Sequence, residues 1–211
     1  MIRLCHVNIT SIKKHKDELL ARFSDYDVIS INETNLEKDV KFSLKGYNVY
    51  RNDRVGKSGG GVLIAVKENI KSQEKFNQTI DHNELIAISI ETKSFGSLLV
   101  ASLYVPPAAK INSNIFLDLY QANNDCIVMG DLNAALKQMG SRKTNTKGRQ
   151  LQDIINEGYF SCIDDDNTTF ERNSYEEKID WILASQPLLS FISNYEVQPT
   201  LGLSSGHKPV T

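Results

Sequence analysis

The chain has 211 residues, 40% of them hydrophobic, and carries 24 basic against 26 acidic side chains for a net charge of −2. That length suits one well-packed α/β core and is short for two. No apolar run approaches the roughly 20 residues of a membrane span, and the opening MIRLCHVNIT has neither an apolar signal core nor a small-residue cleavage site. A membrane partner and secretion are therefore not expected.

Strand and helix patterns follow in order. Ile2–Val7 reads as a short apolar strand. Ile12 to Phe23 then puts Ile12, Leu19, Leu20 and Phe23 on one helical face, with Ser11 placed to cap it. Further strands are predicted over Val28–Ile31, Gly61–Val66, Leu85–Ile90, Leu98–Tyr104 and Ile127–Gly130, each rich in Val, Ile and Leu. Gly59-Gly60-Gly61 reads as a turn, because no helix follows to build a phosphate-cradling loop. Two more helices are predicted, Ser113 to Gln121 and Lys147 to Glu157, the second ending at Gly158. Strands outnumber helices and most gaps are of hairpin length, which argues for two packed sheets flanked by helices. No repeat or linker divides the chain, so residues 1–211 are expected to form a single domain. The text stops directly after a polar motif, as a domain excised from a longer polypeptide would.

Three cysteines, Cys5, Cys126 and Cys162, stand in separated apolar contexts. An odd, scattered set fits buried thiols in a reducing, intracellular compartment. Charge is unevenly spread: Lys137, Arg142, Lys143, Lys147 and Arg149 follow one another with no acid between, whereas Asp164-Asp165-Asp166 sits in an acidic stretch. Such runs are as often solvated faces as binding sites, but a basic loop beside carboxylates is also what phosphate-backbone binding needs.

Polar residues recur at or just beyond the C-terminal ends of strands: Asn8 in HVNIT, Glu33 in SINET, Tyr104 in SLYVPP, Asp131 and Asn133 in GDLNA, with Asp180 in KIDWIL and His207 in SSGHKPV. Singly, each is more often a cap, a turn or a solvated side chain. GDLNA is stronger, because an acid and an amide two residues apart after an apolar strand point to one side; its bland alternative is an Asx turn.

The ordered set HVN, INET, LYVPP, GDLNA, IDWIL and SGH resembles the endonuclease/exonuclease/phosphatase superfamily. Within it the chain is most similar to the apurinic-type endonuclease domains of non-LTR retrotransposons, a resemblance shared by GYNVYRNDRVGKSGGGVLIAVK and GSRKTNTKGRQL and running from Ile2 to Val210. The resemblance implies a four-layered α/β sandwich with two central, mostly antiparallel sheets. It implies Mg²⁺ (with Mn²⁺ as the alternative) held by Glu33 with Asn8 beside it. Asp131 and Asn133 would bind or polarise the scissile phosphate and the attacking water, and Tyr104 would hydrogen-bond a phosphate oxygen. Asp180 would orient His207, with the general base open between His207 and Asp131. Thr169 and Ser205 would border the pocket, and Arg142 and Lys143 would contact substrate. Double-stranded DNA is the implied partner and a 3′-hydroxyl nick the product, with a reverse transcriptase domain downstream in the same polypeptide. The isolated domain is expected to be a monomer acting in the nucleus.

One departure stands out: Gly206 occupies the place where the family's Ser-Asp-His motif carries an acid. Two alternatives follow, a phosphodiesterase of the same superfamily with an inositol phosphate, sphingomyelin or RNA substrate, and a weakened or inactive DNA-binding module.

Overall fold

A computed structural model describes residues 1–93, 96–202 and 205–211. Its architecture is set by period-two burial in two sheets. The smaller sheet contains β1 (Leu4–Asn8), β2 (Val28–Asn32), β3 (Tyr47–Asn52) and β4 (Val62–Lys67) in the order β1-β2-β4-β3. The larger contains β5 (Ser72–Ile80), β6 (Asn83–Thr92), β7 (Gly96–Tyr104), β8 (Cys126–Asp131), β9 (Phe160–Ile163) and β12 (Asp180–Ser185) in the order β5-β6-β7-β8-β12-β9. Among the described residues, only β1–β2 and β7–β8 pair in parallel; the other pairs in both sheets are antiparallel. A separate hairpin, β10 (Phe170–Arg172) with β11 (Tyr175–Glu177), lies between β9 and β12 in sequence.

Alternate side chains of each central strand serve two different cores, as pleated strands require. In β4, Val62, Ile64 and Val66 face the other sheet and meet Ile86, Val100, Met129 and Ile182. Leu63 and Ala65 face outward and pack with Ile12, Leu19 and Phe23 of helix α1 (Ile12–Phe23). On the far side, Leu99, Ala101, Val128 and Leu183 pack with helices α2 (Asn114–Ala122) and α3 (Thr146–Asn156) through Phe116, Leu119, Leu151 and Ile154. The layers are thus helix, sheet, sheet and helices, the four-layered sandwich implied by the resemblance.

Several local expectations change. Strands β3, β5 and β9 to β11 carry too few apolar residues, or too short a run, to stand out in sequence, whereas β12, with the apolar run WILA, is an addition of the same kind as the predicted strands. The first strand begins at Leu4, and β4 begins at Val62 because Gly59, Gly60 and Gly61 all have left-handed φ values of 83°, 73° and 86°. Ser11 makes no side-chain cap; the first turn of α1 is fixed by Ile12 N–H donating to Thr34 O at 3.0 Å. Cys5 and Cys126 are buried, whereas Cys162 is only partly so.

Candidate active site

The site forms where the inter-sheet face turns polar at one end. The same parity that buries Val100 places Ser102 and Tyr104 on that face, and the parity of Ile127 and Met129 places Asp131 there. β1 contributes His6 and Asn8 in the same way, because its outward-facing residues are Cys5 and Val7. Asp180 arrives differently. It begins β12 and so lies at a strand's N-terminal end, not the expected C-terminal one. Antiparallel pairing places it opposite Asp131, at the same edge.

Asn8 is fully buried and bridges two carboxylates: its Nδ2 donates to Glu33 Oε1 at 3.0 Å and to Asp131 Oδ2 at 2.9 Å. Its Oδ1 accepts from Thr10 N–H at 3.2 Å, so Asn8 offers a ligand oxygen to the pocket only if the amide turns over. Tyr104 OH donates to the same Glu33 oxygen at 2.9 Å. Burial and the charges of Glu33 and Asp131 hold its phenol above the ordinary range, keeping it a neutral donor. Behind its ring, the Arg54 guanidinium lies 5.5 Å from the centroid and is ion-paired with buried Glu84.

Glu33 and Asn133 both adopt left-handed backbone, φ 52° and 49°, and so does Thr10 at 56°. Such conformations cost about 1–3 kcal/mol each and persist where the surroundings over-determine them. The surroundings here include Thr34 N–H to Gly61 O at 3.2 Å and Asn35 N–H to Gly60 O at 3.0 Å, which pin the segment after Glu33. In GDLNA, Asn133 N–H donates to Asp131 Oδ1 at 2.9 Å. The Asx turn and the site are therefore the same object. Asn133 Nδ2 spends one donor on Val105 O at 3.1 Å and retains another.

His207 completes the edge. Its Nδ1 lies 2.9 Å from Asp180 Oδ2, and its Nε2 lies 3.9 Å from Asp131 Oδ2. Ligating atoms of Asp131, Asp180 and His207 fall within 4.8 Å of one another. Burial opposes charge on His207, but Asp180, with Asp131 and Glu33 behind it, outweighs that and raises the imidazole to about 9. Asp180 is lowered to about 2, since His207 and His6 overcome its burial. Asp131 is raised to about 7 by burial and by the charge of Asp180. The buried acids beside it thus hold His207 toward its charged form, while burial and Asp180 hold Asp131 toward its neutral one.

The pocket, about 290 Å³, is lined by Glu33, Asp131, Asn133, Asn145, Phe170 and His207 among others. A larger cavity of about 980 Å³ opens at the opposite end of the inter-sheet layer beside Ile2, Ile127, Ile182 and Leu188, and contains none of these residues.

Other expected residues stand further back. Thr169 is 0% exposed, its hydroxyl accepting from the N–H groups of Ile179 at 3.1 Å and Asp180 at 2.9 Å. It holds Asp180 in place. Ser205 Oγ donates to Asn8 O at 3.1 Å and accepts from His207 N–H at 3.3 Å, tying the histidine segment to β1. Arg142 is exposed, donates to Ser174 O at 2.7 Å and stacks over Tyr175; Lys143 is also exposed. Lys147 leaves the basic run: it is buried in α3 and donates to Pro107 O at 2.7 Å. At Gly206, φ is +77°, and a Cβ would lie 2.8 Å from Glu171 O and 2.9 Å from the Phe170 ring. Glycine fits its surroundings here, and the departure from the family motif has a local steric basis.

Residues that the sequence reading passed over complete the support. Asn145 accepts from Gly148 N–H at 2.7 Å and Ala135 N–H at 3.1 Å and donates to Asn133 O at 2.9 Å, clamping the GDLNA loop onto α3. Its signal was an N-cap asparagine three residues before a glycine. That glycine allows the close approach, since a Cβ on Gly148 would lie 1.9 Å from Ala135 O. Asn32 and His6, buried beneath the site, gave no comparable signal.

This sandwich with its acidic edge defines the endonuclease/exonuclease/phosphatase class of fold. The endonuclease domain of TRAS1, a telomere-specific non-LTR retrotransposon, superposes with a TM-score of 0.82 at 21% identity, covering 100% of this chain and 96% of that one. An AP endonuclease from Archaeoglobus fulgidus superposes at 0.74 with 19% identity, covering 100% and 98%. Residues 98–211 match the family described as endonuclease-reverse transcriptase, and the chain belongs to that family. The RNA-directed DNA polymerase from mobile element jockey of Drosophila melanogaster is 26% identical over 213 residues, covering 96% of this chain and 22% of that protein. The chain thus spans about a fifth of the curated relatives it matches.

Proposed function

We propose that the chain is the endonuclease domain of a non-LTR retrotransposon protein, nicking double-stranded DNA to leave a 3′-hydroxyl that primes reverse transcription. The observation that carries this reading is the convergence of Glu33, Asp131 and His207 on one open pocket, with Asn8 and Tyr104 hydrogen-bonded to those carboxylates from behind. Membership of the family and the similarity to a retrotransposon polymerase support it. On this reading the domain works in the nucleus, as part of a longer polypeptide with a reverse transcriptase downstream.

The donor set suits a hard divalent ion. Asn8 bridges the carboxylates of Glu33 and Asp131, Asp131 and Asp180 cluster with His207, and the oxygens are of the kind Mg²⁺ and Mn²⁺ prefer. Glu33 would hold the ion, with Asn8 joining if its amide turns over. When bound, such an ion neutralises charge developing on the phosphoryl oxygens.

The chain's own groups divide the remaining work. Asp131 accepts the proton of the water that attacks phosphorus, and the bond to O3′ breaks, the leaving O3′ taking a proton from solvent to give the 3′-hydroxyl. The spare amide proton of Asn133 donates to a phosphoryl oxygen, Tyr104 joins it once its hydroxyl turns from Glu33, and His207 contributes positive charge held by Asp180. Supercoiled plasmid incubated with Mg²⁺ and end-mapped tests the reading, beside phosphoinositide and RNA substrates. Nicks bearing 3′-hydroxyls are expected; cleavage confined to the other substrates would replace it with another member of the superfamily.

A further inference from the structure

The loop from β3 to β4 passes beside the Glu33 segment and ends in the three left-handed glycines. Gly60 O and Gly61 O are the acceptors that pin Asn35 and Thr34, directly after Glu33. Two side chains hold these glycines in turn. Glu84, near the start of β6, accepts from Gly61 N–H at 2.6 Å. Arg54 packs on Gly60, where a Cβ would collide with its guanidinium. Arg54 and Glu84 are joined by an ion pair through Arg54 Nε.

Packing alone does not call for a charge pair here. Glu84 is 2% exposed and shares its face of β6 with Ile86, Ile88 and Ile90. A carboxylate in such a row costs free energy unless it is paired, and even a buried pair is seldom more stabilising than apolar side chains of the same size. Strand register supplies another reason for it. Glu84 stands directly opposite Tyr104 on β7. The cation that Glu84 holds therefore rests against the Tyr104 ring, 5.5 Å from its centroid, where the ring's quadrupole attracts it. Arg54 Nη2 is buried and makes no hydrogen bond, so contact with ring and glycine holds that end of the guanidinium. The phenol so backed ends in the hydroxyl that donates to Glu33 Oε1 at 2.9 Å.

We propose that Arg54 is a positioning residue: seated on Glu84 and Gly60, it backs the Tyr104 ring and keeps the phenol hydroxyl on Glu33. The catalytic part of this inference rests on the nuclease reading; the placement of Tyr104 does not.

Arg54→Met alone would strand a buried carboxylate, so the test combines it with Glu84→Gln, whose amide oxygen can still accept from Gly61 N–H. The readouts are plasmid-nicking kcat and KM, in the parent and in a Tyr104→Phe background, and the Tyr104–Glu33 distance in a crystal structure of the combined variant. Thermal melting is the folding control. The combined variant is expected to lower kcat roughly 10- to 100-fold, the scale of outer partners that orient a reacting group, at unchanged KM. In the Tyr104→Phe background the same changes should scarcely lower kcat further, because the hydroxyl they place is already gone. The Tyr104 hydroxyl should leave hydrogen-bonding distance of Glu33. If melting shows the combined variant unfolded, Arg54→Lys decides by the same readouts, with a smaller loss expected: it keeps the ion pair but not the planar head. Parental kcat, a raised KM at parental kcat (the mark of an arginine that grips DNA directly), full additivity with Tyr104→Phe, or an unmoved hydroxyl overturns the proposal. A parent that nicks no plasmid sinks the nuclease reading instead, and the crystal structure still decides whether Arg54 positions Tyr104.

Discussion

Asp180 and His207 are 27 residues apart in sequence yet meet at 2.9 Å through Oδ2 and Nδ1. Asp180 is held by the N–H-accepting hydroxyl of Thr169 and the pairing of β12 with β8, and His207 by Ser205. Each belongs to a unit with the other. His207→Ala is expected to slow nicking by roughly 10²- to 10⁴-fold, and Asp180→Asn to do similarly. The double variant should be scarcely worse than either, because removing one already disables the pair. Single-turnover nicking rates of the three variants check this; fully additive losses would mean that the two act independently.

The same pair gives stability a pH dependence. His207 is raised from 6.5 to about 9 and Asp131 from 3.8 to about 7. A raised folded-state value contributes stability that is full below the unfolded value and lost as pH climbs through the folded one. For Asp131 that window runs from 3.8 to about 7, and for His207 from 6.5 to about 9. Asp180, lowered to about 2, works the other way, its contribution present above 3.8 and lost as pH falls through about 2. In EDTA, the melting temperature of the parent should decline steadily from about pH 6 to pH 9. In His207→Gln the upper part of that decline should flatten. An identical slope in both proteins would remove His207 as its source.

Gly206 is better left alone. Its left-handed φ of +77° and a Cβ position 2.8 Å from Glu171 O mean that an aspartate must displace backbone. Restoring the family's acid by Gly206→Asp should therefore lower the melting temperature and slow nicking, although a carboxylate beside the site looks helpful in sequence. Calorimetry and nicking rates test this together; a folded Gly206→Asp that nicks faster than the parent would show that the segment yields easily and the acid is missed.

Arg142 and Lys143 lie exposed near the hairpin that borders the pocket, with Arg142 steadied over Tyr175 at 5.6 Å. Replacing both with Ala should weaken DNA binding and reduce the slope of log K against log salt by roughly 1.8, the equivalent of two phosphate contacts. Sequence preference should stay as it was. An unchanged slope would leave these residues as a solvated loop.

How much of this was legible beforehand follows from what each residue's neighbours are. The central strands β2, β4, β6, β7 and β8 announce themselves because both faces are buried and their runs are almost wholly apolar. β5, SQEKFNQTI, does not, since it is an edge strand whose side chains are exposed or partly so. Asn8, Glu33, Tyr104, Asp131 and His207 were legible through motifs that sit close to their own strands. That Thr169 spends its hydroxyl on the N–H groups of Ile179 and Asp180 was not legible, because a hydroxyl's direction depends on the turn that precedes β12. His6 was invisible, since its partner Ser30 lies on another strand and a single buried histidine has no periodic signature.

Glu33 bears the central claim most directly. Its carboxylate is fixed by Asn8 and Tyr104, and its backbone is held left-handed. The measurement is the initial rate of supercoiled-plasmid nicking by the parent and by Glu33→Ala, each with Mg²⁺ and again with EDTA. The account predicts nicking by the parent with Mg²⁺ alone, abolished by EDTA and by the substitution, while melting curves show Glu33→Ala still folded. Unchanged nicking by folded Glu33→Ala, or by the parent in EDTA, would contradict it.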